Sequence, residues 1–448
     1  MSGSIQAFTN ISYYYEMFVN TFKRLPQNET HLIRAGCTGL VGCLLLLLLA
    51  TPMWAQSTLS GSVLDSVTNK PLAFGTVFLA NTTLGVTTDE AGRFTFARVP
   101  AGSYEVVASY IGYGLRRQAV TVNGTAQQLT FRLPPTANAL GEVVVRPRPN
   151  RPEDYQKFTE SFLGSTTFSA QCRIRNPAAV RVEYDAERNE LTATCDEFLT
   201  VENRALGYRI RYYGLDFRQN FAEGWIAFYG SPVFEPIATR SGRQQRRWEA
   251  NRQQAHRGSL PHFLRSTYEN RVAEEGFRVQ RLRRRPHPGR ARADSLLALM
   301  RAQPYEARVV DDQTFSDSLM RLSRVPRQVE YLFTQPLTAP DFSQRPPAAT
   351  TVQLSFPDLL VVEYAQEPAD PAYVAFTARH SALDQTLPAG LGKQSSVLHL
   401  QRAQVPLQPN GLPENPLDLV TEGYWGFEKM GEFLPVDYRP PTQPSGSR

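Results

Sequence analysis

A chain of 448 residues is too long for one hydrophobic core, and its 42% apolar and 11% aromatic content is too rich for a disordered polymer. The net charge of +6 comes almost entirely from arginine scattered through every region, which reads as a solvated basic surface and gives no ground for a nucleic-acid partner.

The N-terminus carries an address. After His31 and Arg34 comes an apolar run from Leu40 through Leu49, closing at Met53-Trp54-Ala55. A basic flank, about a dozen apolar residues and a small terminal residue make a secretory signal spanning 1–55, with cleavage after Ala55. Met1 to Thr30 is longer than a signal's basic region needs, which fits an over-long gene start, with Met17 an alternative initiator. A membrane anchor is the other reading, because Leu40 to Ala55 is only slightly short of a bilayer span. Leu40-Val41-Gly42-Cys43 has the residue types of a lipoprotein cleavage box, but the leucines follow the cysteine when they should precede it, which argues against lipidation. Export leaves Cys172 and Cys195 as the cysteines of the exported part, and two readings stay open: a disulfide between them, or two buried thiols.

From Leu59 the chain runs in short alternating segments separated by turns. Leu59–Leu64, Thr76–Leu79, Gly85–Thr88, Arg93–Phe96, Ser103–Ser109, Gln118–Val122 and Gln128–Leu133 read as seven strands without helical period, hence an all-β sandwich over 56–135. In the fifth strand Tyr104, Val106 and Ala108 alternate against Glu105, Val107 and Ser109. The motifs Gly61-Ser62-Val63-Leu64-Asp65, Thr88-Asp89-Glu90-Ala91-Gly92-Arg93-Phe94, Val99-Pro100-Ala101-Gly102-Ser103-Tyr104 and Tyr110-Ile111-Gly112-Tyr113 resemble the carboxypeptidase-like regulatory domain family. That resemblance implies a transthyretin-like seven-stranded sandwich acting as a non-catalytic accessory or recognition module.

Residues 136–152 follow as a β segment and a proline-rich linker. Leu140, Glu142, Val143, Val144 and Val145 resemble the segment that follows this domain in TonB-dependent outer-membrane transporters, where it docks an energising partner. As a physical object it is an extended strand able to add to a sheet edge, or else the sandwich's own last strand or a linker. The remaining chain is too short for a plug and a barrel of over twenty strands, so a transporter is excluded. Arg146 to Pro152 stays extended and semi-rigid.

Residues 153–438 read as an α+β domain with mainly antiparallel sheet. Glu153–Leu163 is a helix, followed by β runs through Pro236 that place Cys172 and Cys195 in one meander. Ser241–His256 is helix-compatible, and Ser259 caps a helix with Pro261 in its first turn. Phe277–Leu282 returns to strand and Arg283–Arg290 reads as a loop. Helices are expected at Asp294–Ala302 and Phe315–Ser323, and strands at Val329–Phe333, Thr351–Phe356, Leu359–Tyr364 and Ser396–Arg402. Pro368–Gly392 reads as loop, Gly423–Pro435 as an aromatic element packed on the sheet, and 439–448 as a disordered tail. The Gly258–Arg265 and Trp425 pieces are similar to an uncharacterised envelope-protein region.

Catalytic patterns are missing. None of the six histidines has a Glu three residues on, and there is no HExxH, Gly-x-Ser-x-Gly, P-loop or dinucleotide fingerprint. Asp65, Asp89 and Glu90 in sandwich turns have the oxygen chemistry of a calcium site, yet turn acids ordinarily serve the turn. His262 with Arg265 suits an anionic ligand or a helix's polar face. The arginines from Arg283 to Arg292 suit lipid phosphates. The expectation is a non-enzymatic envelope protein of a Gram-negative bacterium, exported to the periplasm or outer membrane, with no metal and no cofactor, whose partners are envelope proteins or an anionic envelope glycolipid. The alternatives are an exported hydrolase with its site in the second domain, signalled by Asp and Glu meeting His262 or His399, and an accessory of a TonB-dependent system.

Overall fold

The computed structural model describes residues 57–136, 150–302, 312–347, 349–384 and 392–441. The chain divides into two units, Met1–Ala55 and Gln56–Arg448, the first outside the described residues.

The second unit opens with seven strands: β1 (Ser57–Asp65), β2 (Thr76–Leu79), β3 (Gly85–Thr87), β4 (Arg93–Val99), β5 (Gly102–Ser109), β6 (Arg116–Val122) and β7 (Gln127–Leu133). They form two sheets, β4-β1-β7 and β3-β2-β5-β6, closing over Leu59, Val63, Val77, Leu79, Val106 and Phe131. This is the expected sandwich. β2 and β5, however, are buried on both faces. Phe78 and Val107, both 0% exposed, turn away from the sandwich core and pack on Tyr213 and Val233. Alternation assigns Val107 to the polar side with Glu105; the structure buries it because another sheet takes the place of solvent there.

That sheet is built on α1 (Pro152–Leu163), β8 (Cys172–Ile174), β9 (Val180–Asp185), β10 (Glu190–Cys195), β11 (Phe198–Asn203), β12 (Tyr208–Asn220) and β13 (Trp225–Pro236). β10 and β11 lie end to end along one edge of the long β12, β13 takes its other edge, and β9 and β8 add outside β10 and β11. α1 lays Phe158 and Phe162 on Phe217, Tyr212 and Phe228 in ring contacts of 5.2–5.5 Å. The sandwich joins through its β2–β3 loop: Asn81 N–H donates to Pro232 O at 2.6 Å and Phe234 N–H to Thr82 O at 2.9 Å.

Two helices follow, α2 (Gly242–His256) and α3 (Leu260–Tyr268), the latter capped by Ser259, whose hydroxyl accepts from His262 N–H at 3.3 Å. Then come β14 (Phe277–Pro286), α4 (Arg290–Ala302), α5 (Asp312–Ser323), β15 (Gln328–Leu337), β16 (Ser343–Gln344), β17 (Val352–Leu354), β18 (Leu359–Pro368), α6 (Pro371–Asp384), β19 (Lys393–Leu400), β20 (Val405–Leu407) and β21 (Leu419–Gly423). One antiparallel sheet has the order β15-β14-β18-β19-β21, and a small one the order β16-β17-β20. The second region is therefore α+β with antiparallel sheets. Two local expectations fail. Arg283–Pro286 continues β14, because β15 supplies the partners Tyr331, Glu330, Val329 and Gln328. The stretch read as loop after Pro368 contains α6.

The last described segment enters two cores and then ties to the sandwich. Trp425 sits with Phe263 in the core of the five-stranded sheet, its indole N–H donating to Gly258 O at 2.7 Å. Met430 enters the α1 core, and Gly431 O accepts from the buried Asn203 amide at 2.8 Å. Val436 N–H then donates to Asn81 O at 2.7 Å in the sandwich loop.

Candidate binding groove on β14 and β15

β14 reads Phe-Arg-Val-Gln-Arg-Leu-Arg-Arg-Arg-Pro, so strand alternation puts Arg281, Arg283 and Arg285 on one face. β15 is the sheet's edge, and Tyr331 (54% exposed), Leu332 (50%) and Phe333 (40%) stand in solvent there. Arg283, Arg285, Tyr331, Leu332 and Phe333 line an open groove of about 470 Å³. Asp358, the residue before β18, braces two of these arginines. It accepts from Arg281 Nε at 2.6 Å and from Arg283 Nε at 3.2 Å. Burial pushes the Asp358 carboxyl up, but these arginine hydrogen bonds outweigh burial and hold it below the usual range. The same guanidinium groups sit over the Phe333 ring, 5.1 and 5.5 Å from its centre. Arg285 makes no ion pair among the described residues and is exposed. The groove thus presents one oriented guanidinium, one free guanidinium and two aromatic side chains.

The opposite face of the hairpin is closed. Arg284 donates to Glu330 at 2.7 Å and to both oxygens of Glu422, at 2.8 and 2.7 Å, while His399 Nε2 lies 2.8 Å from Glu422 Oε1. The His399 contact and then Arg284 bring the Glu422 carboxyl down to about 2. His399 does meet a carboxylate from a separate strand, but both oxygens of that carboxylate are already held by Arg284. His262 is buried against the rings of His256, Phe277 and Tyr364, accepts from Gly258 N–H at 3.2 Å and lies 3.4 Å from Glu275. Burial keeps its imidazole below the ordinary range, against the pull of Glu275. Arg265 also points inward, 3.4 Å from Val436 O, and burial brings it down to about 10. The His262–Arg265 face is interior rather than an exposed ligand site.

The remaining sequence candidates are structural. Asp65 accepts from Val67 N–H, Thr68 N–H and the Tyr113 hydroxyl at 2.7, 3.0 and 2.9 Å, and Asp89 from Ala91 and Arg93 N–H at 2.9 and 2.8 Å, so both carboxylates serve their turns. No metal-binding group of His, Cys, Asp or Glu occurs among the described residues. Of the two readings open for Cys172 and Cys195, the structure has the thiols: both are free and buried. Cys172 pairs with Asn203, eight positions along the β10–β11 edge from Cys195, roughly 20 Å of strand, where a bridge needs Cα atoms within about 7 Å. Leu140, Glu142, Val143, Val144 and Val145 lie outside the described residues. Sequence reasoning missed the groove by ending the strand at Leu282; the period-two arginines at 281, 283 and 285 were the available signal.

A family model described as "CarboxypepD_reg-like domain" matches residues 59–145. No curated protein matches the chain. Among solved structures, 5-hydroxyisourate hydrolase of Klebsiella pneumoniae is 28% identical over 18% of this chain and 90% of its own, with a TM-score of 0.16. The major pilin subunit BcpA of Bacillus cereus is 14% identical over 18% of this chain and 30% of its own, at 0.17. A putative carbohydrate binding protein of Bacteroides uniformis is 14% identical over 40% and 78%, at 0.15. The chain spans 30%, 59% and 59% of the first three structures matched. Residues 59–145 thus match the CarboxypepD_reg-like domain, and among the described residues the seven-stranded sandwich is followed by a larger α+β region.

Proposed function

We propose that the chain is an exported, non-enzymatic binding or assembly protein of the cell envelope, in the periplasm or at the outer membrane, and that its groove takes the phosphate-bearing headgroup of an anionic envelope glycolipid. The observation that carries this reading is the pairing of Arg283 and Arg285 with Tyr331 and Phe333 on one open face. Guanidinium groups match phosphate oxygens in a planar, two-point fashion, and aromatic side chains offer flat apolar surface to a sugar ring. A non-enzymatic reading is supported by the closed state of both histidine–carboxylate contacts and by the accessory character of CarboxypepD_reg-like domains. The sandwich spends one outer face on the α+β region, so it serves here as a buttress while the second region binds.

Calorimetric titration with glucosamine 1-phosphate tests the proposal. Arg285→Gln is expected to weaken binding about tenfold, the size of a hydrogen bond to a charged group, and Tyr331→Ala several-fold. Binding unchanged in both variants would remove the groove from consideration.

A further inference from the structure

β14, α4, α5 and β15 form an arm. His287 N–H donates to Arg327 O at 3.0 Å and Arg290 to Val325 O at 2.7 Å, which ties the two helices to the end of the hairpin. α4 and α5 pack chiefly on each other and bury Ala293 and Leu297, yet they leave Leu296, Leu299 (66% exposed) and Met320 in solvent. With Tyr331, Leu332 and Phe333, six of the sixteen large apolar side chains exposed among the described residues fall in this one arm. A soluble surface scatters such residues singly, so their concentration needs an occupant. Charge says which. Arg285, Arg292, Arg321, Arg324 and Arg327 are exposed without an ion pair among the described residues, interleaved with those apolar side chains. Leucine and methionine at the acyl boundary with arginine among the headgroups is the chemistry of an element lying in an anionic membrane interface.

We infer that the arm docks flat on an anionic lipid leaflet. The inference rests on the headgroup reading and extends it from one groove to the whole arm: the groove holds one headgroup while Leu299 and Met320 enter the leaflet.

Flotation of the full chain with vesicles tests it, comparing phosphatidylcholine alone with phosphatidylcholine mixed with phosphatidylglycerol. The apolar run at 40–55 is common to every variant, so the comparison between variants is what counts. The wild type is expected to favour the anionic vesicles, less so as salt rises. Leu299→Glu with Met320→Glu should lower that partitioning about tenfold, and Arg324→Gln roughly fivefold. All three positions are exposed and outside the groove, so folding is not at stake. Partitioning by the double variant equal to wild type overturns the inference. If glucosamine 1-phosphate still binds the wild type in that case, the headgroup reading stands alone; if it does not, both fall.

Discussion

Thr83 donates its backbone N–H to both carboxylate oxygens of Asp437, at 3.0 and 3.2 Å, and its hydroxyl to one of them, across 354 positions of chain. The bond fastens the far end of the C-terminal strap to the sandwich. Asp437→Ala leaves these partly buried donors without an acceptor and should cost about 1–3 kcal/mol. Hydrogen exchange is expected to quicken at residues 80–84 and stay unchanged in α1; equal protection in both proteins would show that the strap does not hold the sandwich.

Phe78 makes the second half of that attachment. Its ring lies 4.7 Å from that of Tyr213, wholly buried between the sandwich and the sheet of β12 and β13. Phe78→Ala should cost about 3–5 kcal/mol through lost burial and the cavity left behind. In urea the wild type is expected to unfold in one transition by both far-ultraviolet dichroism and tryptophan fluorescence, and the variant to separate into two. A variant that still unfolds in one step, with little loss, would mean the sandwich is not coupled through this side chain.

Burial, and after it the charge of Asp370, pushes the Glu432 carboxyl up from 4.5 to about 7, although the Thr166 hydroxyl bonded to it pulls the other way. Glu428 beside it is raised too, by burial first. A carboxyl that prefers to be neutral in the fold contributes stability that is complete below its unfolded value of 4.5 and is lost as pH rises toward 7. The urea midpoint should therefore fall across that window. Glu432→Gln keeps an acceptor for Thr166 and removes the titration, so its midpoint should exceed the wild type's at pH 8 and depend less on pH. Parallel pH profiles would rule Glu432 out as the source.

Gly258 has φ of +76°, and a Cβ there would lie 2.0 Å from Gln394 Oε1 and 2.8 Å from the Tyr364 ring. The left-handed backbone alone costs an alanine about 1–2 kcal/mol, and the clash adds to it. Gly258→Ala should also disturb the carbonyl that receives the Trp425 indole, which tryptophan fluorescence would report. A variant as stable as the wild type, with an unshifted spectrum, would contradict this packing.

The sandwich was legible because its strands alternate and its turns are punctuated by glycine, proline and aspartate. Alternation failed at Val107, where tertiary contact replaced solvent, since a strand buried on both faces has no polar side to display. The second region's strand order was not legible: nothing local tells β14 that its partners are β15 and β18. Arg283, Arg284 and Arg285 look like a loop in isolation because three consecutive charges contradict a half-buried strand. In the structure Asp358, just before β18, and Glu422 on β21 neutralise two of them from distant parts of the chain. The two motifs Gly258–Arg265 and Trp425 were visible separately, and only the fold shows that one carbonyl and one indole N–H join them.

On the proposed reading, ligand binds the α+β region and leaves the sandwich untouched. Hydrogen exchange with and without saturating glucosamine 1-phosphate tests that division directly. Protection is predicted to rise at 281–286 and 329–334 and to stay constant in the sandwich turn at 110–114, where Ile111 is the most exposed large apolar side chain among the described residues. Protection appearing at 110–114 with none at the groove would contradict it.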